Sequence, residues 1–313
     1  MRALIEIQKK LVPDILKTMQ KRYDILSRIA ASGTIGRRSL AAETALTERV
    51  LRAELETLRA QGLLDIGTAG MTLSEEGRRL VDEMRQVMKE IFSLSELEQK
   101  LREAFGLKMA VVVPGDSDES DHVKLELGRS GAHVLRDRLQ PGDVVAVMGG
   151  STMHTMATQL TMPAPLKDTW FVPARGGIGE NVDYQANTIA SELAKRTGGQ
   201  YRMLHIPDHL PEEAYASIMQ EPSVREIVDM IRGARIVVHG IGDAVTMAQR
   251  RKLAPRTVEA IRQAGAVAEA FGYYFDSGGK AVYRMATAGL RLEDIRKAGL
   301  VIGIAGGSSK GKA

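Results

Sequence analysis

Val144-Val145-Ala146-Val147-Met148-Gly149-Gly150-Ser151-Thr152 is an apolar run that ends in two glycines and two hydroxyl side chains. An unbroken run rich in β-branched residues suits a strand buried on both faces, as in a parallel sheet covered by helices. The Gly-Gly-Ser-Thr end suits a tight turn into a helix. Backbone N–H groups in such a turn, with the positive potential of the helix N-terminus behind them, favour an anion, and phosphate is the natural one.

The same design recurs. Ala110-Val111-Val112-Val113 leads to Pro114-Gly115-Asp116-Ser117, and Trp170-Phe171-Val172 to Pro173-Ala174-Arg175-Gly176-Gly177. Ile236-Val237-Val238 leads to His239-Gly240-Ile241-Gly242, and Leu300–Ile304 to Ala305-Gly306-Gly307-Ser308-Ser309-Lys310. Helical stretches at 186–196 and 224–232 lie between. The pattern predicts a doubly wound, mainly parallel α/β domain, which binds ligands beyond the carboxyl ends of its strands. One Gly-Gly pair is common in such turns. Five Gly-rich ends, two with Ser or Thr and two supplying Arg175 or Lys310, point to a site for a small phosphorylated molecule. There is no GxGxxG after the first strand and no GxxxxGK[ST], which argues against a nicotinamide cofactor and a nucleotide-hydrolysing P-loop.

Working outward, 313 residues suit about two domains. Cysteine is absent, which excludes disulfides, thiol nucleophiles and Cys-ligated zinc and suits the cytoplasm. No apolar run has the length of a membrane span, and the charged N-terminal stretch MRALIEIQKKLVPDIL does not read as an export signal. Residues 1–60 hold 12 Lys+Arg against 7 Asp+Glu, and residues 61–313 hold 31 against 32. The basic surplus therefore sits at the N-terminal end, where it attracts a polyanion or forms a solvated basic face.

That end reads as a winged helix. Pro13-Asp14 opens a helix whose Ile15, Leu16, Met19, Tyr23, Leu26 and Ile29 recur at i+3 and i+4, and Gly33 ends it. Arg37-Arg38-Ser39 precedes a compact helix from Leu40 to about Thr44. Thr47 caps the next, from Glu48 to about Gln61, with Val50, Leu51, Leu55 and Leu58 as its buried stripe. Two short helices after a longer one make a helix-turn-helix. Arg49 and Arg52 are placed for base edges in the major groove, and Arg37, Arg38 and Ser39 for phosphates. Each arginine is equally explained as a solvated helix face. Leu63–Ile66 and Met71–Leu73 around Gly67-Thr68-Ala69-Gly70 read as a hairpin wing. Ser74 caps a further helix with an apolar stripe of Leu80, Val81, Met84, Val87, Met88 and Ile91, and Ser95-Glu96-Leu97-Glu98 is a capping-box pattern. The expected domains are 1–90, a winged helix; 91–108, a linker and oligomerisation helix; and 109–313, the effector domain. The stripe serves either packing onto the neighbouring domain or a dimer contact.

The chain resembles the family of sugar-binding transcriptional regulators named for the sorbitol operon regulator. The resemblance is carried by Pro13–Arg22, Ile35–Leu40, Phe171–Gly177, Gln185–Thr188, Glu221–Val224, Val238–Gly242, Met247-Ala248-Gln249-Arg250-Arg251, Glu269–Phe275 and Ala305–Lys310. It implies a repressor of a central glycolytic operon that binds operator double-stranded DNA, with fructose-1,6-bisphosphate as inducer and no cofactor. It implies a sensor fold like that of glucosamine-6-phosphate deaminase and ribose-5-phosphate isomerase, without catalysis, and a homodimer that forms a tetramer on DNA. The implied effector site is Gly149, Gly150, Ser151, Thr152, Arg175 with Gly176 and Gly177, and Lys310, together with Gln185, Arg250 and Glu269. Relatives continue with a helix and strand after the Lys310 loop, whereas this sequence stops at Ala313.

Several residues have two readings. Arg175 and Lys310 suit anion binding or surface ion pairs. Ser151 and Thr152 suit helix capping, phosphate binding or both. Glu269 suits a sugar hydroxyl or a pair with Arg250. His154 suits a helix surface, and Asp183 and Asp243 suit turns. An aldose–ketose isomerase or deaminase with an accessory domain is the competing function. It needs a carboxylate or histidine of tuned pKa beside the sugar, with Asp116, Glu269 and His154 as candidates. A pure assembly protein leaves the Gly-rich turns unexplained.

Overall fold

The computed structural model describes residues 2–44, 46–177, 181–206, 212–285 and 287–313. They form two compact units that divide between Gly115 and Asp116.

The first unit runs α1 (Arg2–Leu11), α2 (Pro13–Ser32), α3 (Arg37–Thr44), α4 (Glu48–Ala60), β1 (Leu64–Gly67), β2 (Gly70–Leu73), α5 (Glu75–Ile91) and α6 (Leu94–Phe105). Pro13 sits in the first turn of α2, and Gly33 ends it at φ 68°, where glycine is unstrained. The Thr47 hydroxyl accepts from the Val50 N–H and the Ser74 hydroxyl from the Gly77 N–H, so both expected caps are in place. Ile25, Leu26 and Ile29 of α2 meet Leu40 of α3, Leu51, Leu55 and Leu58 of α4, and Met71 and Leu73 of β2. The strands form an antiparallel hairpin, and Met71 also bridges Ile35, which ties the wing to the entry of α3. This is a winged helix-turn-helix.

Four local expectations change. Arg37, Arg38 and Ser39 form the first turn of α3 rather than preceding it. Val50 is exposed, because only Leu51, Leu55 and Leu58 keep to the inner face. Ser93, not Ser95, precedes α6, and the Ser95 hydroxyl donates to the Glu90 carboxylate. Helix α1 lacked a sequence signal, and it answers the question of the α5 stripe: Met88 and Ile91 pack against Ile5 of α1 and Leu16 of α2. The distal stripe is covered within its own unit.

The second unit runs α7 (Asp121–Arg136), β3 (Val144–Val147), α8 (Ser151–Gln159), β4 (Trp170–Pro173), α9 (Ala186–Thr197), β5 (Gln200–Tyr201), α10 (Glu212–Ile218) and α11 (Pro222–Arg232). It continues with β6 (Ile236–Gly240), β7 (Gly242–Asp243), α12 (Ala244–Arg250), α13 (Pro255–Gln263), β8 (Ala266–Ala270), β9 (Tyr273–Asp276), β10 (Ala281–Arg284), α14 (Leu292–Lys297) and β11 (Leu300–Ile304). Strands β11-β6-β3-β4-β5 make a wholly parallel sheet. Val145 and Val147 face α7, α8 and α9 through Leu135, Met153, Met156 and Leu193, whereas Ala146 faces Val228 and Ile231 of α11. Both faces of β3 are thus buried, as its apolar run requires.

Two features depart from the sequence reading. The Ala110–Val113 run is not a strand. Its Val112 N–H donates to the Glu98 carboxylate of α6, which holds the segment to the first unit and moves the division from 108/109 to 115/116. The second is an added antiparallel sheet, β10-β9-β8-β7, which packs on α12 and α13 through Tyr274, Ala244, Ala248 and Ile261.

Candidate functional site

Strand order fixes where a ligand fits. From β3 the chain moves to β4 and β5 on one side, while β6 and β11 lie on the other. The order reverses between β3 and β6, so the crevice opens at their carboxyl ends, beside Gly149-Gly150 and His239-Gly240.

The β3 turn is closely built. A methyl on Gly149 would stand 2.6 Å from the Tyr184 carbonyl oxygen and 3.3 Å from the Ala186 nitrogen, so only glycine fits. Gly150 adopts φ 134° and donates its N–H to the Tyr184 carbonyl at 2.8 Å. Gly150 caps α8, and Ser151 and Thr152 occupy its first turn, where the backbone N–H groups lack helical acceptors. Gln185 precedes α9 directly against this turn. Gly149, Gly150, Ser151, Thr152 and Gln185 therefore come together. His154 is held by the Asp183 carbonyl at 3.1 Å and meets Tyr184 edge-on.

A second group gathers around Glu269. Arg175 follows β4, is 5% exposed, and bridges Gly289 through its backbone. Its Nη1 lies 3.9 Å from Glu269 Oε1, and Glu269 is 3% exposed. That same oxygen accepts from the Gly272 N–H at 2.7 Å and from Arg251 Nη1 at 2.8 Å. The expected pairing with Arg250 is therefore made by Arg251. Arg250 ends α12 and is exposed, whereas Arg251 continues the inward face of Ala244 and Ala248. Gly176 is buried, and a methyl there would meet the Ile206 carbonyl at 2.7 Å; Gly177 is half-buried beside it.

The third group is at β11. Lys310 ends a single 3₁₀ turn, Ser308–Lys310. Burial pulls its ammonium below the ordinary lysine range; Asp118 opposes that, and nearby Arg250 and Lys124 add to it. Arg250 and Lys310 thus share one neighbourhood. Asp116 accepts from the Ser308 N–H at 3.1 Å and Asp118 from the Ser309 N–H at 2.8 Å. The Asp118 N–H, then the Ser308 hydroxyl and N–H, hold Asp116 below the usual carboxylate range, and hydrogen bonds from Ser309 do the same for Asp118. Gly242 of β7 pairs with Glu269 of β8, which links the second and third groups.

His239 and Arg251 are what sequence reasoning missed. His239 stands one residue before the end of β6 at the crevice and lies on Phe271 with 4.6 Å between ring centres. Burial lowers its pKa, against its hydrogen bond to the Gly240 carbonyl and the charge of Glu269, so the neutral ring is favoured. The spacing 244, 248, 251 is the signal that picks Arg251 over Arg250.

In the first unit, Arg37, Arg38, Ser39, Thr47, Arg49 and Arg52 are all exposed on α3, α4 or the turn between. Arg52 pairs with Glu56 at 3.0 Å, both side chains about two-thirds exposed at 69% and 67%, a contact worth about 0.3–0.5 kcal/mol. It yields readily to a stronger anion. Glu54, by contrast, anchors α4 to Lys21 and Arg22 of α2. Burial pushes its carboxyl up, and the two hydrogen-bonded cations outweigh that and bring it down.

A basic winged helix-turn-helix with a separate α/β unit carrying a cationic crevice defines a ligand-responsive DNA-binding protein. The chain belongs to the family of sugar-binding transcriptional regulators: residues 89–313 match the sugar-binding domain model, and residues 18–88 match the CggR N-terminal DNA binding domain. It is 49% identical to the central glycolytic genes regulator of Priestia megaterium over 100% of this chain and 92% of that one. The regulator of the same name from Bacillus subtilis is 46% identical, with the same coverage. The crystal structure of a SorC family transcriptional regulator from Enterococcus faecalis is 42% identical, covers 70% of this chain and 89% of its own, and superposes with a TM-score of 0.64. Full-length sorbitol operon regulator from Klebsiella pneumoniae, 20% identical over 88% of this chain and 85% of its own, shares the fold with a TM-score of 0.66. The protein is a transcriptional regulator, not an enzyme. Of the residues considered for an isomerase's acid and base, Asp116 is bonded to Ser308, Glu269 to Arg251 and His154 to Asp183. No helix among the described residues is long and apolar enough to cross a membrane.

Proposed function

We propose that this chain represses a central glycolytic operon, binds operator double-stranded DNA through its winged helix, and is released by fructose-1,6-bisphosphate. The observation that carries the reading is a buried cation, Arg175, at the carboxyl end of a parallel strand, in a chain whose N-terminal unit exposes Arg37, Arg38, Arg49 and Arg52 on a helix-turn-helix. The names of the two relatives supply the operon. Gly149, Gly150, Ser151 and Thr152 with Gln185 receive one phosphate. Arg175, Gly176, Gly177 and Glu269 hold the sugar and its anion from the side, and Arg250 and Lys310 meet the other phosphate. Strand spacing of about 4.8 Å puts the β3 and β11 ends roughly 10 Å apart, a separation suited to a ligand with a phosphate at each end. On DNA, Arg49 and Arg52 read bases, and Arg37, Arg38, Ser39 and Thr47 meet the backbone. The working assembly is a homodimer that pairs into a tetramer on DNA, with residues 91–108 contributing, and the effector weakens contacts between dimers.

A thermal-shift screen of glycolytic phosphates tests the reading. At a hundredfold excess over Kd a ligand stabilises by about 2.7 kcal/mol, or roughly 5–10 °C for a unit of this size. A shift with fructose-1,6-bisphosphate that exceeds those with monophosphates supports it. No shift with any sugar phosphate contradicts it.

A further inference from the structure

We propose that His239 is a specificity-determining residue of the effector site: its Nε2 accepts a hydrogen bond from a hydroxyl of the bound sugar, and so selects a sugar phosphate over a phosphate without hydroxyls. This rests on the effector reading above and adds to it the group that reads the sugar.

The position of one proton decides what the ring can do. His239 Nδ1 lies 3.0 Å from the Gly240 carbonyl oxygen. A carbonyl only accepts, so Nδ1 carries the proton. Burial favours the neutral ring, against the pull of that carbonyl and of Glu269. A neutral ring protonated at Nδ1 has a bare lone pair at Nε2. Among the described residues the ring's hydrogen bond is to Gly240, and no group donates to Nε2. The groups assigned to phosphate above are chiefly donors: the N–H groups that open α8, Arg175, Arg250 and Lys310. A phosphate dianion has no proton to give Nε2, whereas a sugar hydroxyl has. Glu269 is an acceptor too, but its Oε1 already receives Arg251 at 2.8 Å and the Gly272 N–H at 2.7 Å.

The ring is held in one orientation. In the parallel sheet His239 pairs with Gly303 of β11. A methyl on Gly303 would stand 3.4 Å from Nε2 and 3.6 Å from Cε1, so the polar edge of the ring lies over a residue with no side chain to cover it. Phe271 lies against the ring, with 4.6 Å between centres. Phe271 takes φ 57° and Gly272 φ 82°, the paired left-handed residues of a tight hairpin turn between β8 and β9. A phenylalanine in that region is strained, and such strain gathers at ligand sites. The bond from the Gly272 N–H to Glu269 locks the turn, and with it the Phe271 ring. Strand β6 borders the point where the strand order reverses, so the lone pair is fixed at the crevice itself.

The test is calorimetric titration of the full chain with two ligands: fructose-1,6-bisphosphate, and hexane-1,6-diol bisphosphate, which keeps both phosphates and has no hydroxyl. Operator binding without effector checks folding. The wild-type chain should prefer the sugar. His239→Leu removes the lone pair, so affinity for fructose-1,6-bisphosphate should fall about 2- to 12-fold, the effect of one hydrogen bond, while affinity for the diol bisphosphate stays the same. His239→Gln sets an amide oxygen near the place of Nε2 and should recover part of the loss. Should His239→Leu fail to fold, His239→Gln against His239→Met carries the same contrast of acceptor and no acceptor. A role in packing alone predicts that both ligands weaken together. That result, an unchanged affinity for fructose-1,6-bisphosphate in the variant, or a wild-type chain that binds the two bisphosphates equally, overturns the proposal and leaves the effector reading standing. A wild-type chain that binds neither ligand overturns both.

Discussion

Arg175→Ala separates binding from folding in a way the surroundings make quantitative. Arg175 is 5% exposed, and Glu269, whose Oε1 lies 3.9 Å from its Nη1, has two closer partners. Deleting one member of a buried pair usually strands the other charge at about 3–5 kcal/mol. Glu269 escapes that cost, because Arg251 and the Gly272 N–H keep it satisfied. The free protein loses packing of the arginine stem, about 1–3 kcal/mol, or roughly 2–12 °C in Tm. What is lost in the complex is a charge-assisted hydrogen bond to phosphate, about 1.5–3 kcal/mol, or roughly 10- to 150-fold in Kd. Calorimetry with fructose-1,6-bisphosphate reads the second loss and a melting curve the first. Operator binding in the absence of effector should be unchanged, giving a repressor that does not respond to inducer. Arg175→Lys should fall between, since it keeps the charge and loses the planar fork. An Arg175→Ala protein that titrates like the wild type would refute the placement of the anion.

Three further outcomes follow from local geometry. Arg52→Ala should weaken operator binding by about 1–3 kcal/mol, roughly 5- to 150-fold in a gel-shift titration, and leave sugar-phosphate binding intact; joint loss would mean misfolding. Gly149→Ala drives a methyl to 2.6 Å from the Tyr184 carbonyl, so it should cost about 1–3 kcal/mol in a denaturation curve and weaken the effector together with stability. Asp116 and Asp118 have folded-state pKa values below their ordinary ones, so the stability they add is present above the unfolded value near ~3.9 and disappears as pH falls through the lowered values. Urea unfolding followed from pH 6 downward should show a loss below about pH 4 that is smaller in Asp116→Asn/Asp118→Asn.

Legibility in the sequence followed local physics. Val144–Met148 reads as a doubly buried strand, and Thr47 and Ser74 announced their helices by side-chain chemistry, so the parallel sheet and the winged helix were readable. The Ala110–Val113 run carries the same apolar signal as β3, yet its Val112 N–H goes to Glu98; strand pairing is a long-range choice that composition does not record. The second sheet escaped because Glu269 in β8 and Arg284 in β10 interrupt any apolar run, although Asp276-Ser277-Gly278-Gly279 marks the hairpin between β9 and β10, with Asp276 accepting from Gly278 and Lys280. Motifs located Arg175, Glu269 and Lys310. They left open the adjacent arginines 250 and 251, which point to different surroundings because one residue turns a helix face by about 100°.

Operator DNA and the sugar phosphate should exclude each other on this chain. Fluorescence anisotropy of labelled operator DNA, titrated with the full chain with and without saturating fructose-1,6-bisphosphate, tests it most directly. Binding should be tight, should fall steeply with salt, as phosphate contacts require, and should lose affinity or cooperativity when the bisphosphate is present. Superimposable isotherms in the two conditions would contradict it.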